Sequence, residues 1–183
     1  NNTDENRMYE QLLTEAQALQ SQTVALRREI HREPELGLDL PKTRAKVLDG
    51  LSGLGLEINQ SQATTGLVAI LRGARPGPNI LLRGDMDALP MSEDTGLPFA
   101  SQTPGHMHAC GHDVHAACVM GGALGVAQEG GSSSLEPGCG MTLRYLFQPA
   151  EEIGLGAKWL IEQGVIEGVD AIVGLDVDPE TCA

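Results

Sequence analysis

Between Met8 and His31 the apolar positions Leu12, Leu13, Ala16, Leu19, Val24, Leu26 and Ile30 recur at roughly helical spacing, among good helix formers and with no glycine or proline between them. The pattern predicts one long amphipathic helix, preceded by a polar, frayed stretch over residues 1–7. It ends in His31-Arg-Glu-Pro-Glu-Leu-Gly37, where Pro34 cannot continue the hydrogen-bond ladder. A second helix is predicted from Pro41, a favourable first-turn proline, to Leu54, with Gly55 as its stop.

Short apolar runs then replace the helical period. Gly66–Arg72 and Asn79–Arg83 read as strands, and the turn-rich Gly73–Pro78 between them suits two neighbours in a sheet. Val114 to Gln128 is dense enough in small and apolar residues for a buried helix packed closely on that sheet. Gly130–Ser134 through Pro137-Gly138 is a flexible connection by composition. Met141–Phe147 reads as a central strand, Ala157–Gln163 as a short helix closed by Gly164, and Ala171–Leu175 as another buried strand. Helices alternating with apolar strands predict an α/β fold, a mixed and mainly parallel sheet flanked by helices.

The polar residues sharpen this picture by where they fall. Asp85 and Asp87, Glu151 and Glu152, and Asp176 each follow an apolar strand at once, so a mainly parallel sheet brings them all to one edge. Open α/β sheets place their ligands at that edge. Carboxylates at the end of a buried strand are costly unless paired, hydrogen-bonded or metal-bound.

Composition narrows the function classes. The chain has 183 residues, 41% hydrophobic, enough for one sizeable core, and its 3% aromatic content makes that core aliphatic. A net charge of -13 argues against nucleic acid and anionic membrane as partners, since phosphate binding rests on clustered Lys and Arg. Cys110, Cys118, Cys139 and Cys182 have neither the density nor the pairing of a disulfide scaffold or zinc ribbon, which makes a reducing, cytoplasmic setting the expectation. No apolar run approaches the ~20 residues that cross a bilayer, and no basic-then-apolar signal pattern opens the chain.

The chemistry concentrates in His106-Met-His-Ala-Cys-Gly-His-Asp-Val-His115, which holds four of the five histidines with a cysteine and an aspartate. Imidazole, thiolate and carboxylate are the side chains that donate lone pairs to a divalent cation. Cys110 and His112 precede the buried helix and can seat on the carboxylate-rich edge, where such a set can hold one or two ions. Adjacent Glu151 and Glu152 suit a division of labour, one as base and one as ligand. The plainer alternatives are a solvated acidic turn for the Glu pair and a cap or turn carboxylate for Asp87. His115, a turn from His112, reads as packing or support, His31 as structural, and His106 is left unassigned.

Arg83-Gly-Asp-Met-Asp-Ala-Leu-Pro90, Met107-His-Ala-Cys-Gly-His-Asp-Val-His115 and Phe147-Gln-Pro-Ala-Glu-Glu152 together resemble the metal-dependent amidohydrolases related to aminoacylase and carboxypeptidase G. The nearest branch includes hippurate hydrolase, auxin–amino-acid conjugate hydrolases and N-acetyl-diaminopimelate deacetylases, and His31–Gly37 resembles its N-terminal motif. The resemblance covers nearly all of residues 10–180 and implies a zinc-peptidase-like catalytic domain that cleaves the amide bond of an N-acyl amino acid. It implies Cys110, His112 and Glu152 as metal ligands, Glu151 as general base, and Asp87 as an aspartate that orients the site without touching metal. The implied cofactors are two divalent ions, manganese or zinc first, nickel or cobalt also compatible. The implied partner is a small N-acyl or peptide-like substrate, with a homodimer for the full-length protein.

Two departures from the family pattern stand out. Where the branch has histidine, this chain reads Gly174-Leu-Asp176-Val, and Asp176 is expected as a metal ligand by analogy with other branches. Family members also run to about twice this length. Residues 1–183 are therefore expected to be the N-terminal portion of the catalytic domain, without the inserted lid and dimerisation domain or the segment bearing a last histidine ligand, and with apolar surface left exposed. The competing expectations are a catalytically silent metal-binding chain and a cysteine hydrolase using Cys110 and His112.

Overall fold

The first helix, α1, runs from Asn2 to Arg32 in a computed structural model, which describes residues 2–127 and 140–178. The predicted connection from Gly130 to Gly138, with Cys139 and Cys182, lies outside the described residues. The expected fraying over residues 1–7 is corrected: the helix begins at Asn2. Nothing in that polar stretch breaks a helix, and each residue added to an existing one gains a hydrogen bond without a new nucleus.

Helix α2 spans Pro41–Leu51, with the proline in its first turn as expected. It stops three residues short of the predicted Leu54 because Ser52 turns to extended backbone, φ -61° and ψ 137°. Its start is capped from the preceding motif. Glu35 Oε1 accepts from the Lys42 backbone N–H at 3.1 Å, while Oε2 accepts from the Thr43 N–H at 2.8 Å and the Thr43 hydroxyl at 2.9 Å. A carboxylate at a helix N-terminus satisfies orphan donors and the helix dipole together.

Five strands follow: β1 (Glu57–Gln60), β2 (Leu67–Arg72), β3 (Asn79–Asp85), β4 (Thr142–Gln148) and β5 (Ala171–Gly174), with helices α3 (His112–Ala127) before β4 and α4 (Gly156–Glu162) after it. They form one mixed sheet in the order β1-β2-β4-β3-β5. Strands β2 and β3 are not neighbours, contrary to the reading of their short connection: β4 lies between them, antiparallel to β2 and parallel to β3. The exposed, polar β1, which no apolar run announced, adds an antiparallel edge. Strand β5 pairs in parallel with β3 at the opposite edge. Expected to be buried, β5 is exposed along its whole length, with Ile172 and Val173 facing solvent, since β3 covers one side and no described strand covers the other.

Two layers of helix enclose the sheet, and alternate strand residues serve each. Leu67, Ala69, Tyr145 and Phe147 join Ile30, Val47, Val119, Met120 and Leu124 in the main core under α1, α2 and α3. Val68, Ile70, Leu81 and Leu146 meet Leu160 of α4 on the other face. The period-two alternation of a sheet covered on both sides accounts for this split. Helix α3 presses hardest on β3 at Gly84, where a Cβ would lie 2.9 Å from Val119 Cγ2 and 3.0 Å from the His115 carbonyl oxygen. Because β4, β3 and β5 run parallel, the residues that follow each of them emerge side by side. Among the described residues no helix is long and apolar enough to cross a membrane.

Candidate metal centre

Asp87 stands just beyond β3 and is 1% exposed. Its Oδ1 accepts from the Glu151 backbone N–H at 2.9 Å and its Oδ2 from the Glu152 N–H at 3.1 Å, so it fixes the turn that follows β4. Burial pushes its pKa up, but hydrogen bonding with His112 and from these two amides outweighs that and holds it below the usual carboxylate range. Asp87 is thus the carboxylate that fastens the turn carrying both glutamates. The same turn contains Ala150 in left-handed backbone, φ 56°, a strained conformation for a residue with a Cβ, immediately before the two glutamates.

From the opposite side, Gly111 at φ 81° turns the chain between Cys110 and His112, the first residue of α3. His112 Nδ1 lies 2.8 Å from the Asp87 carbonyl oxygen. A carbonyl only accepts, so Nδ1 carries the proton, and Nε2 faces the acids with its lone pair. That nitrogen is 3.7 Å from Glu152 Oε1 and 3.8 Å from Glu151 Oε2. Ligand atoms of Cys110, His112 and Glu152 all lie within 4.8 Å of one another, as do those of Asp85, His112 and His115.

The donor chemistry of the first trio fits a divalent cation. Glu152 Oε1 is buried without a hydrogen-bond partner, which is costly for an anionic oxygen facing a lone pair. Protons occupy the same electrostatic role. The Cys110 thiol is pushed up to about 11 by its hydrogen bond to Glu152, by burial and by the charges of Glu152, Glu151 and Asp85. Burial lowers the His112 pKa, but the Asp87 hydrogen bond and the Asp85 and Asp87 charges raise it overall. A metal bound by these groups would have to displace their protons, so its binding would depend on pH. A thiol at about 11 is also a poor nucleophile near neutral pH, which counts against the cysteine-hydrolase reading.

Asp176, by contrast, is on the same cleft but not in either trio. Its side chain is 94% exposed, and Oδ1 accepts from the adjacent Val177 N–H at 2.9 Å. The cleft, about 510 Å³, is lined by Arg83, Asp85, Cys110, His112, Glu151 and Asp176 among others.

Two residues entered the site with less warning from sequence. Arg83 donates from Nη1 to Asp85 Oδ2 at 2.6 Å and from Nε to Gln148 at 3.0 Å, holding the first aspartate. His115, read as packing or support, is buried with Nδ1 2.5 Å from Asp85 Oδ1. Its spacing of three from His112 was the available signal, since it puts both rings on one helix face.

His31 is structural, as expected, and its role is specific. Buried at the end of α1, it sets Nδ1 2.8 Å from Asp113 Oδ2 and Nε2 3.2 Å from Glu93 Oε1, and packs edge-on against Phe99. Arg27 adds a 2.6 Å contact to the same Asp113 oxygen. The His31 pKa is raised, chiefly by the Asp113 hydrogen bond and then by Glu93, against burial. This network ties α1 to the residue following His112. His108, buried beside His31, stays neutral because burial pushes its pKa down to about 4. His106, unassigned from sequence, brings Nδ1 to 3.3 Å from the Pro34 carbonyl oxygen.

The chain is 42% identical over 162 residues to the N-acetyl-L-cysteine deacetylase of Bacillus subtilis, covering 88% of this chain and 38% of that protein. It is also 42% identical over 160 residues to an N-acetyldiaminopimelate deacetylase of Listeria monocytogenes, covering 86% of this chain and 41% of the relative. The chain thus spans about two-fifths of the length of the curated relatives it matches. Among solved structures, the Bacillus subtilis YXEP protein, a dinuclear metal binding peptidase from the M20 family, superposes with a TM-score of 0.81 at 41% identity, covering 90% of this chain and 45% of that one. Residues 81–183, more than half of the chain, match peptidase family M20/M25/M40, and the chain belongs to that family.

Proposed function

We propose that this chain carries the metal-binding site of a hydrolase that cleaves the amide bond of N-acyl amino acids, with Cys110, His112 and Glu152 as metal ligands, Asp176 as a further ligand and Glu151 as general base. The observation that carries the reading is the convergence of Cys110, His112 and Glu152 within 4.8 Å, with Glu151 directly beside them. The deacetylase relatives, which by name act on N-acetylcysteine and N-acetyldiaminopimelate, support the substrate class. The donor set of thiolate, imidazole and carboxylate suits zinc, manganese, nickel or cobalt.

A bound divalent ion supplies Lewis acidity to the amide carbonyl and acidity to water near neutral pH. The protein's part is positional. Asp87 holds both glutamates by their backbone amides, so Glu152 stays aimed at His112 while Glu151, 42% exposed, keeps its carboxylate open to the cleft. Glu151 takes a proton from the attacking water and delivers it to the nitrogen of the departing amine, leaving the acyl group as a carboxylate.

A second reading, a chain that binds metal without turnover, is favoured by Asp176, which points to solvent where the branch has histidine. One experiment separates the two: metal content together with hydrolysis of N-acetyl amino acids, before and after chelation and refilling. Chelator-sensitive turnover restored by metal is the expected result. Metal binding without turnover establishes the silent reading, and turnover that survives chelation overturns both.

A further inference from the structure

One imidazole stands between two buried carboxylates where the connection from β3 to α3 meets the end of α1. His31 sets Nδ1 2.8 Å from Asp113 Oδ2 and Nε2 3.2 Å from Glu93 Oε1, and the two acid side chains are 0% and 2% exposed. A carboxylate only accepts, so both contacts are hydrogen bonds only while the ring carries two protons. A neutral ring keeps one N–H and turns a lone pair on the other acid. The two acids are not equally fixed in place. Asp113 is in the first turn of α3 and also meets Arg27 at 2.6 Å. Glu93 lies in an irregular segment and accepts from the Thr95 hydroxyl at 2.5 Å and the Ser101 N–H at 2.6 Å, both within that segment. Glu93 can therefore leave His31 without giving up its own partners.

We propose that residues 91–101 form a proton-dependent latch, closed on α1 while His31 bridges Glu93 and Asp113 as imidazolium and released at Glu93 when the ring loses its Nε2 proton. The ends of the segment are pinned independently. Leu89 and Met107 exchange backbone hydrogen bonds at 2.9 and 3.0 Å, and the Gln102 N–H donates to the Arg32 carbonyl at 2.8 Å. The closed state also carries a standing cost. Both ring nitrogens of His108, beside His31, and Asp113 Oδ1 are buried with no hydrogen-bond partner, and water entering with an opening would supply them. The groups around His31 are Arg27 and Arg28 of α1, each 4.9 Å over Phe99, Asp113 of α3, and Glu93 and the neutral His108 of the connection. The Asp113 hydrogen bond raises the His31 pKa most, burial opposes it, and Glu93 adds to the rise. Closure is therefore fully supported below the ordinary value of 6.5 and is lost as pH rises through the higher value of the closed state. The connection runs from Asp87 to Cys110, so the latch couples pH to a stretch of chain with both ends in the candidate metal centre.

Amide hydrogen exchange on the intact protein from about pH 5 to about pH 9, with each rate corrected for the intrinsic pH dependence of exchange, tests the latch. Protection over residues 91–101 should fall about tenfold per pH unit above 6.5 and level off once His31 is neutral, while β3 keeps its protection. Glu93→Gln offers His31 an amide, which accepts from the charged ring and donates to the neutral one, so it should abolish the slope. His31→Gln should abolish it too, with the segment less protected at acid pH. A flat profile in the unsubstituted protein, a slope that persists in Glu93→Gln, or a loss over β3 in step with the segment would each overturn the latch.

Discussion

The ends of β3 and β5 lie side by side on one sheet edge, yet they hold their acids in opposite ways. Asp87, beyond β3, is 1% exposed and accepts two backbone N–H groups, whereas the Asp176 side chain, beyond β5, is 94% exposed and accepts from its neighbour's amide. The difference shows how the site divides its work. On the β3 side the protein offsets the cost of burying charge with its own donors, so geometry is set before any ligand arrives. On the β5 side the acid stays solvated, and burial imposes no such demand for donors.

The largest expected effect lies in the chemistry that the held side positions. Glu151→Gln removes the proposed base but no proposed ligand, so N-acetyl amino acid hydrolysis should fall by roughly 10²–10⁴-fold with metal content unchanged. Parallel loss of metal would mean that Glu151 is a ligand instead. Asp87→Ala should lower unfolding free energy by about 3–5 kcal/mol, because it strips the acceptor from two amides and a partner from His112. Urea unfolding measures this, and a loss below about 1 kcal/mol would show that the β3 side is not rigidly held.

His31 tests whether the held side extends back to α1. Replacing it with Ala should cost about 3 kcal/mol, since Asp113 is left buried with Arg27 as its remaining cation. The His31 pKa is raised above 6.5, so its stabilisation is complete below that value and is lost as pH rises through the higher folded pKa. Unfolding midpoints should therefore decline from pH 6 toward alkaline pH, and His31→Gln should flatten that decline. Asp176→Ala closes the series with the smallest effect, a change within about 0.5 kcal/mol. A larger loss would mean that the β5 end is more firmly built than its exposure indicates.

Much of this was legible in the sequence where the governing physics is local. An apolar run followed by acids marks a strand's carboxyl end, and this brought Asp85, Asp87, Glu151, Glu152 and Asp176 to one edge correctly. Strand order was not local. The connection Gly73–Pro78 suits neighbouring strands, but β2 pairs with β4, whose partner residues lie 70 to 80 positions on. Burial of β5 could not be read from Ala171–Gly174 either, because burial depends on what covers a strand and four apolar residues in a row do not specify that. The pairing of His31 with Asp113 joins residues 82 positions apart, and only the packing of α1 on α3 brings them together.

Gly84 adds a consequence for anyone wishing to retune this centre. Asp85 and Asp87 ride at the end of β3 and the imidazoles of His112 and His115 on α3, so the gap between these two rows is the distance between a strand and a helix. That distance is set where Gly84 meets Val119 and the His115 carbonyl, with no room for a methyl group. A bulkier residue there would lift both rings together, without altering a single ligand. In the proposed metal centre, selectivity between smaller and larger ions, ordinarily sought by exchanging the coordinating groups, would be open to adjustment through the thickness of the backbone beneath them.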